Sequence, residues 1–449
     1  MLFHLIKVLL LSFSVSPLSA SPWDWSEVDV EKVKLPKEFL WGTAVSEFQV
    51  SGAENCPDSQ WADWENPEDP SGSATDMWHK YNEDISLMKE LGLNSFRFSI
   101  EWSLIEPEEG IFDQSVMEHY KEMVRALKEA EITPMVTLHH FSNPRWFEEK
   151  GAFEKEENIE DFVRFSKYVF SNLSDEVELW GTINEPTVYT LMGYMLGEFP
   201  PGKVDFQLAA EVLKNLLLAH VKVYQELKVM PNGDVCQIGL VHQYLKFEAY
   251  HNWNGFEVIP CLLLTNNLHK QVMNFLKTGN FSFYIPFMAN LSFEEKEAPE
   301  SFDFIGLNYY SRAVISMQAS LSEPLGAACY KDEIMTDMPY AMYPEGLYMA
   351  IAETSDLLGK PIYITENGIA DSKDDRRAIF LERYLYALAK ASEEGYDVRG
   401  YFYWSLIDNY EWAEGWKMKF GLYSLDLETK ERTLRDGAKV YQKVISQSK

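Results

Sequence analysis

Thr182-Ile183-Asn184-Glu185-Pro186 and Ile364-Thr365-Glu366-Asn367-Gly368 each close an apolar, β-branched run on a glutamate that is followed by turn residues. Runs of this length and composition read as strands buried on both faces, so each glutamate falls at a strand's C-terminal end. The two motifs stand far apart in the chain. Their strand ends meet only if the strands between them close into a parallel barrel. Six further runs share the character, giving eight candidates at 39–45, 95–100, 133–138, 178–184, 237–243, 302–310, 361–367 and 400–406.

Between the runs lie stretches whose apolar residues recur at three- and four-residue spacing, at 84–91, 115–130, 159–173, 207–227 and 378–394, as amphipathic helices do. Strand and helix in alternation imply a parallel sheet. Eight such units give the α/β class and a single (β/α)8 TIM barrel. The segments after the first, fourth, sixth and eighth runs are long or rich in Trp, Tyr, Gly and Pro, which places elaborated βα loops over the C-terminal face.

The chain has 449 residues, 46% of them hydrophobic, enough to bury a large core, and no break in composition divides it. With 70 acidic against 40 basic residues the formal charge is −30. That balance argues against nucleic acid or an anionic lipid surface as partner. Residues 1–20 read as an export signal, with Lys7, an apolar stretch and small residues before a cut, leaving the barrel at 21–449 and a secreted or periplasmic protein. No later segment is long enough for a transmembrane helix, so no integral membrane segment is expected after signal removal. Cys56, Cys236, Cys261 and Cys329 allow three full disulfide pairings in an exported protein; they are spaced too widely for a zinc ribbon, and buried free thiols are the favoured state in a domain of this size. No histidine spacing suits a metal, and neither metal nor cofactor is expected. Asn172, Asn280 and Asn290 open Asn-x-Ser sequons, which matter only for export from a eukaryotic cell.

If the strands are as read, Gln49, Arg97, His140, Asn184, Glu185, Asn308, Tyr310, Glu366, Trp404, Glu411 and Trp412 lie at or just beyond strand C-termini, the catalytic face of such barrels. Singly, each has a plainer explanation. Asn-Glu-Pro starts helices, Glu-Asn-Gly makes turns, arginines form structural ion pairs, and histidines and tryptophans fill cores. Their joint concentration at strand ends favours a site. Two carboxyl groups there are what cleavage of a glycosidic bond requires, one to protonate the leaving oxygen and one to attack the anomeric carbon.

Phe39-Leu40-Trp41-Gly42-Thr43-Ala44, Phe96-Arg97-Phe98-Ser99-Ile100, Thr137-Leu138-His139-His140-Phe141, Thr182 to Pro186, Gly306-Leu307-Asn308-Tyr309-Tyr310, Ile364 to Gly368 and the run from Tyr403 to Trp412 follow one another in an order that resembles the glycoside hydrolase family 1 β-glycosidases, from about residue 35 to about residue 442. The resemblance implies a retaining enzyme on a (β/α)8 barrel, with Glu185 as acid/base and Glu366 as nucleophile. It implies that Arg97 supplies the counter-charge to Glu366, that Tyr310 holds Glu366 in position, and that Asn184 donates to the sugar 2-hydroxyl. Gln49, His140, Glu411 and Trp412 would read the other hydroxyls, Trp404 would form the stacking floor, and Asn308 would either contact sugar or only support Tyr310 and the neighbouring loop. Relatives acting on 6-phosphorylated sugars carry serine in place of Glu411, with a lysine and tyrosine nearby. Here a glutamate would repel the phosphate, so the expected partner is a small non-phosphorylated β-glycoside or oligosaccharide.

Leu104, Ser51 and Lys419 depart from the family pattern, and 244–302 is compact, with the unusual run His251-Asn252-Trp253-Asn254-Gly255-Phe256. None of these removes a catalytic group. The leading expectation is a β-glucosidase working by double displacement. Two alternatives stand beside it: a transglycosylase passing the glycosyl group to a sugar or glycolipid, and a non-catalytic sugar-binding receptor. The receptor is the weaker, since both glutamates remain.

Overall fold

The structure, a computed structural model, describes residues 23–25, 28–29, 33–317, 327–328, 330 and 333–448. The expected export signal and Cys329 lie outside the described residues. Eight parallel strands close a barrel in sequential order: β1 (Leu40–Ala44), β2 (Ser95–Ser99), β3 (Thr133–His139), β4 (Leu179–Asn184), β5 (Gln237–Gln243), β6 (Phe304–Asn308), β7 (Ile362–Asn367) and β8 (Val398–Trp404), with β1 returning to pair β8. All eight expected runs are strands, each within a few residues of its expected bounds. β2, β4, β6 and β7 are buried along their whole length, because helices cover the outside and side chains fill the inside.

Met135, Leu179, Phe304, Tyr363 and Phe402 form a plug separate from the larger core under the helices. Glycines on neighbouring strands leave room for it: a Cβ on Gly42 would come within 2.5 Å of the Phe402 ring, and one on Gly239 within 2.7 Å of the Phe304 ring. A plugged barrel has no pore, so polar groups collect at the C-terminal rim.

The covering helices carry local signals. Asp113 caps helix Gln114–Glu129 by accepting from the N–H groups of Ser115 and Val116, and Asp205 does the same for helix Phe206–Lys228, each satisfying orphan donors of a first turn. Gly92, in the left-handed conformation at φ 80°, ends helix Met77–Leu91. Cys56, Cys236 and Cys261 are buried free thiols, as expected.

The segment between β5 and β6 holds more than the sequence reading assigned. It contains a short strand Phe247–Ala249, helices Gly255–Thr265 and Gln271–Thr278, and an antiparallel hairpin of Asn280–Ile285 with Ala289–Glu294. The hairpin had a signal, since Phe281, Phe283 and Ile285 are buried and alternate with exposed Asn280, Ser282 and Tyr284, the period of a half-buried strand.

Candidate active site

Arg97 lies in the middle of β2, fully buried at the top of the barrel. Its Nη1 donates to Glu366 Oε1 at 2.6 Å and to the Thr365 carbonyl at 3.1 Å, Nη2 donates to Asn184 Oδ1 at 2.7 Å, and Nε donates to Thr137 Oγ1 at 3.0 Å. One guanidinium thus ties β2 to β3, β4 and β7 through its fixed fork of donors. The other Glu366 oxygen accepts from Tyr310 Oη at 2.8 Å. Both oxygens of this buried carboxylate are therefore held.

Glu185 sits where β4 hands over to helix Pro186–Thr190, with Pro186 at the first helical position. Its backbone is left-handed, φ 43° and ψ 62°, a conformation that costs a non-glycine residue on the order of 1 kcal/mol. The register of β4 on β5 shifts between Gly181 and Asn184, and that of β7 on β6 shifts between Ile364 and Glu366. Such irregularities re-aim side chains at strand ends, and both occur beside the two glutamates.

Asn308 connects them. Its Nδ2 donates to Glu185 Oε1 at 2.8 Å and to Asn184 Oδ1 at 3.2 Å, while its Oδ1 accepts from Thr365 Oγ1 at 2.7 Å. Of the two expectations for Asn308, support of Tyr310 alone is too narrow: it holds the Glu185 carboxyl. Burial first, and then the negative charge of Glu366, pushes Glu185 well above the usual carboxylate range, against the opposing pull of Asn308 and Arg97. Both causes favour the protonated form of Glu185.

Around this pair stand the other expected residues. Gln49 Nε2 donates to Glu411 Oε2 at 3.2 Å and to the Tyr410 carbonyl at 3.0 Å. Asn184 Nδ2 and His140 Nε2 are 3.1 Å apart, and the His140 ring lies 5.7 Å from Trp404 and 6.2 Å from Trp412. Burial, and secondarily Arg97, pushes His140 well below its usual range, so the ring is neutral and Nε2 accepts from Asn184. His140 Nδ1 and Gln49 Oε1 are buried without a protein partner, an arrangement that suits a ligand rich in hydroxyl groups.

Burial first, and then Glu366, pushes Glu411 up to about 8. This revises one sequence argument: at pH 7 Glu411 is mainly a neutral acid, able both to donate to and accept from hydroxyls, so simple charge repulsion is not what would exclude a phosphate there.

All eleven expected residues come together at this rim. Sequence reasoning missed Thr137 and Thr365, which orient Arg97 and Asn308, and Tyr340, whose ring lies 6.5 Å from Tyr310. Tyr340 belongs to an irregular loop pinned by the Asp337–Arg376 ion pair, and no periodic signal marks it. Replacing Arg97 by Met leaves Glu366 buried without its counter-charge. We expect a loss of about 3–5 kcal/mol in unfolding free energy, measured by urea titration at pH 7; a loss below about 1 kcal/mol would contradict the buried-pair geometry.

The profile of Glycosyl hydrolase family 1 matches residues 31–449. "Beta-glucosidase A" of Acetivibrio thermocellus is 32% identical over 445 residues, covering 93% of this chain and 99% of the relative. "6-phospho-beta-galactosidase" of Leptotrichia buccalis is 30% identical over 462 residues, covering 92% and 98%. Among solved structures, a beta-glycosidase from Pyrococcus horikoshii superposes with a TM-score of 0.81 at 34% identity, covering 93% of this chain and 96% of that one.

Proposed function

The chain belongs to glycosyl hydrolase family 1, and on that premise we propose that it is a retaining β-glycosidase, a β-glucosidase in preference, in which Glu366 is the nucleophile and Glu185 the acid/base. The observation that carries the reading is the contrast between two buried carboxyl groups joined through Asn308, Asn184 and Arg97: Glu366 is paired with a guanidinium, whereas Glu185 has only the Asn308 amide on it and is pushed towards its protonated form by burial and by Glu366.

In the first step a Glu366 oxygen bonds the anomeric carbon as the bond to the leaving oxygen breaks, and Glu185 gives its proton to that oxygen. Glu366 becomes an ester and loses its negative charge. That charge helped hold the proton on Glu185, so its loss lowers the Glu185 pKa and readies the carboxylate as a base. Water then attacks the anomeric carbon from the vacated side, its proton passes to Glu185, and the bond to Glu366 breaks. Two displacements at one carbon retain its configuration. Asn184, with one amide hydrogen on His140 and its oxygen on Arg97, has a second hydrogen for the sugar 2-hydroxyl, while Trp404 gives the ring its floor. Both carboxyl groups being in place weighs against the receptor reading. Turnover of nitrophenyl β-glucoside, β-galactoside and β-fucoside by the purified protein tests the class; absence of release from all three would overturn it.

A non-phosphorylated sugar is the substrate class. After burial, the largest charge effect on Glu411 comes from the carboxylate Glu366, with Glu414 adding to it, and these would oppose a phosphate buried beside it. We expect kcat/KM for nitrophenyl β-glucoside to exceed that for its 6-phosphate by roughly 10²-fold or more; equal values would contradict this assignment. We also assign residues 1–20 as the export signal and the mature protein to a secreted or periplasmic location, so N-terminal sequencing of the exported chain should begin after Ala20.

A further inference from the structure

Helix Gly255–Thr265 is turned the wrong way for a helix of a water-soluble surface. Its one acidic residue, Glu257, faces inward and is fully buried, accepting from the N–H groups of His251 and Met317 and pairing with the His251 ring. Its outward positions are apolar: Phe256 is 79% exposed, Ile259 59%, and Leu262 is exposed below them, with Trp253 (77%) just before the first turn. The buried acid fixes this orientation.

The hairpin between β5 and β6 continues the surface. Tyr284 exchanges hydrogen bonds with the side chain of Asn267, which also donates to the Leu263 carbonyl. Asn290 N donates to Gln207, in the first turn of the helix that follows the β4 loop. The hairpin, with fully exposed Phe287 and half-exposed Met288 at its tip, is thus held between the turn that follows the helix and the start of helix Phe206–Lys228. The segment is continuous with the site, because Phe247 pairs with Ala313, three residues beyond Tyr310, and Phe247 N donates to Thr265 of the helix.

We propose that these exposed apolar side chains of the segment between β5 and β6 dock the protein on an electrically neutral lipid surface. Aromatic and aliphatic side chains protruding from a helix and a hairpin tip suit insertion among headgroups and acyl chains. A formal charge of −30 opposes an anionic bilayer, and it opposes a second copy of equal charge. Zwitterionic or uncharged lipid meets no such repulsion, and its interface takes up exposed Trp, Phe, Ile and Leu side chains. Docking there brings the site to glycosides anchored by an apolar aglycone; this last consequence rests on the glycosidase reading, whereas the docking does not.

Sedimentation with phosphatidylcholine vesicles tests it. The wild-type protein should co-sediment, and Phe256→Glu combined with Phe287→Glu should lower the bound fraction about tenfold or more. Nitrophenyl β-glucoside turnover, unchanged within about twofold, would show that the variant is folded, and circular dichroism gives the same control if the protein has no glucosidase activity. Vesicles enriched in phosphatidylglycerol should bind less. Wild-type protein remaining in the supernatant, stronger binding to anionic vesicles, or a wild-type dimer in analytical ultracentrifugation that the double variant dissolves would each overturn the proposal.

Discussion

Glu366→Ala lowers kcat/KM on an activated aryl β-glucoside by a factor on the order of 10⁵. The size follows from the step removed: without this carboxylate no glycosyl ester forms, and the remaining donors stabilise charge around an attack that has lost its nucleophile. The variant also vacates a space lined by Arg97 and Tyr310, both of which donate to Glu366 in the wild type. Azide added to it should attack from that side and yield the α-glycosyl azide, of inverted configuration, with recovery of aglycone release. Full activity of Glu366→Ala without added nucleophile would remove Glu366 from the mechanism.

Glu185→Gln should cost about 10³-fold in kcat/KM, within the range ascribed to general acids, and the loss should depend on the leaving group. An alkyl glucoside, whose departing oxygen needs the proton, loses most. A dinitrophenyl glucoside, whose leaving group departs as the anion, loses little in the first step and is limited in the second, where the base is missing. The pH dependence has a definite sign. The pKa of Glu185 is raised by burial and by Glu366, so the acid form is present below that value and kcat/KM falls as pH rises through it. Glutamine has no proton to lose, and the basic limb should flatten. A basic limb unchanged in Glu185→Gln would assign it to another group.

The barrel and most of its site were legible because their causes are local. Buried parallel strands are short β-branched runs, and the polar groups of the candidate site stand at or just past their ends, as Glu185, Asn308 and Glu366 do. What was not legible depends on contacts between distant segments. The hold of Asn308 on Glu185 follows from how β6 sits between β5 and β7, where Asn308 lies opposite both Gln243 and Glu366. The upward shift of Glu411 comes from burial and from Glu366, neither of which its neighbours in the chain reveal. Tyr340 reaches the rim from an irregular loop held by distant partners, among them Arg376 on Asp337. The Asn280–Ile285 hairpin is different, since its alternation was readable, and it lies in the stretch that the sequence reading left without elements.

The most direct test of the central claim is to trap the glycosyl-enzyme. Incubation with 2,4-dinitrophenyl 2-deoxy-2-fluoro-β-glucoside slows both displacements, the second more than the first, and peptide mass spectrometry locates the label. The account predicts one fluoroglucosyl group per chain, on Glu366. A label on Glu185 or Glu411, or unlabelled protein that still turns over the unfluorinated glucoside, would contradict it.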